Sequence, residues 1–131
     1  MMSQVKIIRH NYYDYRVSSF SSPEIEMLGD FLANDIVEDI DGALEAITEP
    51  EKYCFPGELF LASVDNNEVV ISPELAGTMT IKIPKDTFVE IIKKWDRIIK
   101  TNPKKIIITE EKGKYNFDAE YWYKAALCMG R

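Results

Sequence analysis

Apolar residues recur along the chain with two different periods, and these periods predict its helices and strands. Over residues 25–47 they are three and four positions apart, the spacing of one buried helical face. This face consists of Ile25, Leu28, Leu32, Ile36, Ile40, Leu44 and Ile47. Ser22 and Pro23 supply an N-cap and a first helical residue, so a helix is expected to begin there and to end before Pro50. Two glycines in the segment leave open whether residues 23–47 form one helix or two.

A second helix is predicted over residues 85–100, directly after Pro84. Its apolar face is Phe88, Ile91, Ile92, Trp95, Ile98 and Ile99. Lysine and arginine residues keep to the opposite face, and those in the last turns suit the negative end of the helix dipole. Asn102 and Pro103 are expected to end the helix.

Runs of β-branched and aromatic residues between turn residues predict the strands. These runs are residues 4–9, 12–18, 58–64, 68–72, 78–83, 105–109 and 114–119. Turns are expected at 54–57, 65–67 and 110–113, and residues 120–127 fit either a strand or a short helix. Strands joined by short turns indicate antiparallel pairing. We therefore predict a single α+β domain, residues 1–131, with a mainly antiparallel sheet and two main helices packed on it.

The first predicted helix lies in a long stretch without positive charge. Between Arg16 and Lys52 the chain has ten carboxylates and no Lys, Arg or His. They are Glu24, Glu26, Asp30, Asp35, Glu38, Asp39, Asp41, Glu45, Glu49 and Glu51. On a helix they separate from the apolar face, which predicts a rigid, solvent-facing acidic surface. Such a surface is either merely solvated or kept acidic for a basic partner.

The second half of the chain has the opposite balance. Residues 82–114 contain ten basic and five acidic side chains. The molecule is therefore expected to be electrically polarised, with an acidic first helix and a basic second helix. A polarised molecule can orient a charged partner and speed its association.

Composition restricts the partner and the compartment. The chain of 131 residues is 46% hydrophobic and 29% charged, a globular balance, and its net charge is -6. A nucleic acid partner is not expected, because binding phosphates requires a basic face. The first ten residues lack the apolar run of a signal peptide, so none is expected, and no apolar run is long enough to predict a membrane span. Cys54 and Cys128 match no metal or redox spacing, so we expect free thiols and a cytoplasmic protein.

No motif for catalysis or cofactor binding is found. Aligning Gly42 with the glycine of an EF-hand loop puts Val37 and Thr48 at ligand positions, where neither fits. His10 is the only histidine and has no partner at a useful spacing. We therefore expect no catalytic residue, no metal and no cofactor. A small enzyme or ligand-binding protein would instead need a concave pocket lined by Tyr or Trp with convergent polar groups.

Aromatic residues cluster near both ends of the chain, at Tyr12, Tyr13, Tyr15, Tyr115, Phe117, Tyr121, Trp122 and Tyr123. Consecutive aromatic residues in a strand point to opposite faces, so some of them are expected to be exposed. Because Tyr and Trp commonly anchor interfaces, Tyr12 and Trp122 are candidates for an apolar contact with a partner or a dimer contact.

The order of elements resembles small bacterial immunity proteins of contact-dependent growth inhibition and other polymorphic toxin systems. The resemblance lies in the small acidic α+β design and in two segments, VVISPELAGTMTIKIPKDTFVEIIKKWDRII and KKIIITEEKGKYNFD. It implies a non-enzymatic antitoxin that binds a cognate toxin's C-terminal domain, commonly a nuclease. An acidic inhibitor suits such a partner, because nucleases hold phosphates with basic surfaces.

Our functional hypothesis is therefore an immunity protein that neutralises a toxin, expected to be a basic nuclease domain, through an acidic surface. The predicted partner-binding residues are Asp30, Asp35, Glu38, Asp39, Asp41, Glu45, Tyr12 and Trp122. The protein is expected to be a monomer or a weak homodimer. The alternative is a cytoplasmic interaction or adaptor domain without a toxin partner.

Overall fold

The computed structural model of the chain describes residues 2–10, 14–38, 40–48, 54–57, 59–73 and 79–122. The strands in these ranges are β1 Met2–Arg9, β2 Tyr15–Phe20, β3 Cys54–Pro56, β4 Phe60–Asp65, β5 Glu68–Pro73, β6 Ile81–Pro84, β7 Lys105–Glu111 and β8 Lys114–Glu120. The helices are α1 Pro23–Asp30, α2 Ile40–Thr48 and α3 Lys85–Ile99. None of these described helices has the length and apolar character needed to cross a membrane.

The strands form two antiparallel sheets of four strands each. The first sheet has the order β2-β1-β7-β8 and the second has the order β3-β4-β5-β6. The first sheet brings β1 beside β7, which is about 100 residues later in the chain, because Val5 of β1 lies opposite Ile108 of β7. The fold is α+β with antiparallel sheets, as the sequence predicts, but its strands divide between two sheets rather than forming one.

The hydrophobic core draws on both sheets and all three helices. Its largest fully buried side chains include Trp95, Phe31 and Phe88. The ring of Phe31 lies 6.2 Å from that of Phe88 and 6.4 Å from that of Phe55, while Trp95 meets Tyr15 edge-on at 6.2 Å. Aromatic pairs at these distances add about 0.5–1.5 kcal/mol each beyond the burial of their area. They link the helices to strands of both sheets.

The first helical segment is not one regular helix. Ser22 caps α1 with its hydroxyl, which accepts a 3.4 Å hydrogen bond from the Ile25 N–H. After α1 the backbone widens into a π-helical turn at Phe31–Asp35 and then tightens into a 3-10 turn at Ile36–Glu38. Each π-helical turn inserts an extra residue, so the faces beyond it are rotated. The segment is thus divided before α2.

Strand boundaries differ most from the sequence prediction in three places. Residues 54–57 were expected to form a turn, but Cys54–Pro56 form β3, paired with β4. β2 begins at Tyr15 and β6 at Ile81, each about three residues later than predicted. The tail beyond Trp122, whose form the sequence left open, lies outside the described residues.

Two tight turns fix the register of the hairpins. Asn66 and Asn67 have φ of 48° and 65°, and Lys112 and Gly113 have φ of 53° and 81°. Positive φ at both central residues defines a type I′ turn, which matches the twist of the flanking strands. The predicted turn at 65–67 is confirmed, and the turn predicted at 110–113 narrows to its last two residues.

Candidate functional site

The exposed side of α1 carries three accessible carboxylates. Glu24 is exposed, while Glu26 and Asp30 are half-buried. Burial, and then the negative charge of Glu26 one turn earlier, raise the pKa of Asp30 from 3.8 to about 6. The negative charges on this side of α1 are therefore only partly compensated by the groups around them.

Asp35 does not belong to this surface, and its assignment as a partner-binding residue is wrong. Its side chain is only 2% exposed. The carboxylate accepts hydrogen bonds from the N–H groups of Leu59 at 3.2 Å and Phe60 at 2.9 Å. It also lies against Gly57, where a side chain would collide with it. Asp35 is turned inward within the π-helical turn and anchors the loop that leads into β4.

The remaining predicted acidic residues lie at or after the end of the 3-10 turn. Asp41 and Glu45 are exposed on α2, as predicted. The side chain of Glu38, and all of Asp39 and Tyr12, lie outside the described part of the chain. The acidic side chains that the structure describes as exposed or half-exposed in this segment are therefore Glu24, Glu26 and Asp30 on α1 and Asp41 and Glu45 on α2; we call this set of five the acidic face.

Trp122 is exposed, as the aromatic anchor hypothesis requires. Its side chain is 58% accessible. The hydroxyl of the preceding residue, Tyr121, lies 2.8 Å from Thr101 Oγ1, which places Trp122 beside the end of α3. Trp122 therefore neighbours the basic helix in the fold rather than belonging to the acidic face.

The basic residues of α3 are partly neutralised within the helix. Lys94 pairs with Glu90 at 3.1 Å and Lys100 with Asp96 at 3.0 Å, both one turn apart. Lys93 and Arg97 are exposed beside them. Since α2 packs against α3, the acidic residues of α2 lie on a helix that adjoins the basic helix.

A cleft of about 380 Å³ lies between α1, β6 and the β7–β8 hairpin. Its apolar lining comes from Ile25, Leu28, Ile81 and Ile83, and its polar lining from Ser3, Ser22, Glu24, Thr80, Lys82, Glu110 and Tyr115. This volume falls in the range of small-ligand sites, which combine an apolar wall with a few polar groups. Glu24 belongs to both the cleft and the acidic face, so the two features adjoin.

Tyr115 is the titratable group most changed by this cleft. Burial, and then the negative charge of Glu110, raise the pKa of its phenol above 10.0. Both effects disfavour the phenolate, so Tyr115 stays a neutral hydroxyl that can donate or accept a hydrogen bond. The sequence pattern does not reveal this site, because its lining residues come from five elements, β1, α1, β6, β7 and β8, that meet only in the folded chain.

Metal binding has no support in the described residues. Within those ranges no group of three or more His, Cys, Asp or Glu side chains could hold an ion. Asp41 and Gly42, part of the acidic run that invited the calcium comparison, lie within the regular helix α2.

Comparisons with other proteins identify no relatives. The sequence matches no protein-family model, and neither a curated protein nor a solved structure gives a significant match.

Proposed function

We propose that this protein is an immunity protein, which binds and neutralises a cognate bacterial toxin, a basic nuclease domain, through its acidic face. One observation carries the proposal: Glu26 and Asp30 lie one turn apart on α1, and the pKa of Asp30 is raised to about 6. No Lys or Arg occurs anywhere in residues 17–51 to offset these charges. Burial, and then repulsion from Glu26, thus make the ionised form of Asp30 unfavourable in the free protein.

A basic partner would relieve this unfavourable charge. A cation brought near Asp30 stabilises its ionised form and lowers its pKa, so binding at neutral pH becomes more favourable. Nuclease domains hold phosphates with basic surfaces, and opposite potentials accelerate encounter by about tenfold to a thousandfold at low salt. A charge arrangement that costs stability in the free protein therefore supports association.

The apolar contact in this proposal comes from exposed aromatic side chains. Of the two predicted anchors, Trp122 is the one that the structure describes, and it lies beside α3, outside the acidic face, so the partner would contact both surfaces. Long-range steering mainly sets the association rate, whereas a buried anchor mainly slows dissociation. Trp122→Ala is therefore expected to raise the dissociation rate and to leave the association rate almost unchanged.

The test begins with co-purification of the protein and the product of the gene upstream. Association rates of that complex are then measured over a range of ionic strength for the wild type, Glu26→Lys and Asp41→Lys. Asp65→Lys is the matched control, because it makes the same charge change at an exposed position of the β4–β5 turn. We expect the rate to fall with salt, and to fall about tenfold in the two acidic-face variants but less in the control.

Two results would count against this function. An association rate that does not change with ionic strength, or that falls equally in all three variants, would show that the acidic face does not steer the partner. An upstream gene for a metabolic or regulatory protein would favour the alternative, an interaction or adaptor domain without a toxin.

A further inference from the structure

Among the strands that the structure describes, four lie at the edges of the two sheets, and three of these have features that discourage pairing with another chain. β3 has only three residues and ends in Pro56, and β6 has four and ends in Pro84. β2 departs from regular pairing at a bulge opposite Lys6 and Ile7. Short strands, prolines and bulges are the usual means of blocking an open edge. β8 has seven residues, Lys114–Glu120, with neither proline nor bulge in its pairing to β7.

The turn before β8 determines which of its backbone groups face the open edge. In a type I′ hairpin the residues flanking the turn, here Glu111 and Lys114, bond to each other. Directions alternate along a strand, so the N–H and C=O groups of Tyr115, Phe117 and Ala119 point away from β7. The Tyr115 carbonyl confirms this direction, because it accepts a 2.9 Å hydrogen bond from Lys94 Nζ of α3.

The side chains of β8 are complementary to those of a second, antiparallel β8. With a two-fold axis at Phe117, Tyr115 faces Ala119 of the other copy, and each such pair exchanges both backbone bonds. On the outer face of the sheet, Lys114 then faces Glu120 and Asn116 faces Asp118. These pairs occupy the closely spaced positions, where cross-strand side chains interact most strongly. A register centred on Asp118 would instead bring two like carboxylates together.

We propose that β8 pairs with β8 of a second copy of this chain around a two-fold axis at Phe117, joining the two first sheets into one continuous sheet. This goes beyond the proposed function and does not depend on it. Phe117 and Ile98 line a shallow groove beside this edge, together with Lys94, Arg97 and Asn116. Pairing covers the half-exposed ring of Phe117. It also makes Lys94 share or release the Tyr115 carbonyl, which keeps the dimer weak.

The first experiment measures dimerisation by sedimentation equilibrium for the wild type, Lys114→Glu and Glu120→Lys. Each substitution makes both inter-chain charge pairs repulsive, so each variant alone should dimerise about tenfold or more weakly than the wild type. An equimolar mixture restores opposite charges in the heterodimer and should dimerise like the wild type. Lys93→Glu, on the exposed face of α3, makes the same charge change as Lys114→Glu and is the control. At a salt concentration that screens the net-charge repulsion, it should leave dimerisation unchanged. Misfolding of a variant cannot produce recovery on mixing.

A second experiment tests the register by disulfide formation. Asn116→Cys mixed with Asp118→Cys should form an inter-chain disulfide, because these positions face each other across the axis. Asn116→Cys alone should not. Mass spectrometry of the linked peptides separates this bond from any involving Cys54 or Cys128. Ala119→Pro should also prevent dimerisation while keeping the β7 pairing, since the Ala119 N–H points outward.

The proposal is overturned if the wild type stays monomeric up to millimolar concentration. It is also overturned if neither charge variant alters the dimer, or if mixing them restores nothing. A disulfide formed by Asn116→Cys alone would rule out the register centred on Phe117.

Discussion

At the scale of single residues, Asp30 and Asp35 are two acids of one segment with opposite relations to the fold. Asp35 is buried and accepts two backbone hydrogen bonds, so its charge is used inside the molecule. Asp30 stays half-exposed beside Glu26, and burial and repulsion raise its pKa. The first carboxylate stabilises the fold, whereas the second is available to a partner.

Removing the Asp35 carboxylate is expected to destabilise the protein strongly. In Asp35→Ala the N–H groups of Leu59 and Phe60 lose their acceptor, and each unmade bond costs about 1–3 kcal/mol. We expect the free energy of unfolding to fall by about 2–4 kcal/mol in urea titrations. Glu111→Ala, at an exposed strand position, should change it by less than about 0.5 kcal/mol. Equal losses of stability in the two variants would mean that the hydrogen bonds of Asp35 to Leu59 and Phe60 do not stabilise the fold.

Asp30 should make stability depend on pH in a defined direction. Its pKa is about 6 in the folded protein and 3.8 in the reference state, so the folded state binds more protons between these values. Protonated Asp30 therefore contributes its full share to the free energy of unfolding below pH 3.8, and this contribution is lost as pH rises through about 6. Solvent screening of this half-exposed group limits the loss to about 1–2 kcal/mol.

The Asp30→Asn variant isolates this effect, because its side chain does not titrate. Its stability relative to the wild type should rise by about 1–2 kcal/mol between about pH 4 and pH 8. Denaturant titrations of both proteins at each pH measure the difference and cancel all other titrating groups. A difference that stays constant with pH would contradict the raised pKa.

At the scale of elements, α1 approaches the first sheet closely at Gly29. A Cβ atom there would lie 2.9 Å from Cγ2 of Val5 and 3.1 Å from Cγ2 of Val17. Gly29 lowers helix propensity, as the sequence indicates, but its missing side chain lets the helix pack against β1 and β2. The residue serves the packing of the two layers at the cost of local helix stability.

Gly29→Ala is therefore expected to destabilise the protein despite the better helix propensity of alanine. Alanine gains about 1 kcal/mol as a helix former, while overpacking costs about 1–3 kcal/mol. Adding Val5→Ala should recover part of the loss, so the double variant should be more stable than the sum of the two single effects by about 1 kcal/mol. Thermal and urea unfolding of the wild type, the two single variants and the double variant measure these differences in stability. A stabilised Gly29→Ala would show that the gap between α1 and β1 is wider than described.

Local patterns predicted the elements well and the connections between them poorly. The regular apolar spacing and the final Asn-Pro located α3 within one residue, and the alternating runs located most strands. The pattern failed at the π-helical turn, where an extra residue rotates the chain. Beyond that turn α2 buries Ala43, Ala46 and Ile47, while Ile40 and Leu44, predicted for the core face, are only half-buried.

The candidate site was predictable only in part, for the same reason. Acidic composition and helical spacing identify Asp30, Asp41 and Glu45 without any knowledge of tertiary structure. The inward position of Asp35 depends on an irregular turn, and the Tyr115 cleft depends on pairing between β1 and β7. A single sequence carries no local signal for either feature.

At the scale of the whole molecule, the net charge of -6 makes the two proposed associations respond to salt in opposite ways. Binding of a basic toxin joins opposite charges, so added salt should slow it. Two copies of this chain carry the same charge and repel each other at long range. At a separation of about 30 Å, set by the size of the fold, unscreened repulsion in water is on the order of 5 kcal/mol.

The dimer formed through β8 is therefore expected to strengthen as salt is added from low concentration. Screening by salt removes most of the long-range repulsion. The exposed Lys114–Glu120 and Asn116–Asp118 pairs contribute only about 0.2–1 kcal/mol each, so salt weakens their attraction by less than it weakens the repulsion. Sedimentation equilibrium at low and high salt measures the dimer, and association kinetics with the toxin in the same buffers give the opposite trend. Dimerisation that weakens steadily with salt would mean that opposite charges dominate the contact, which the backbone pairing of β8 does not predict.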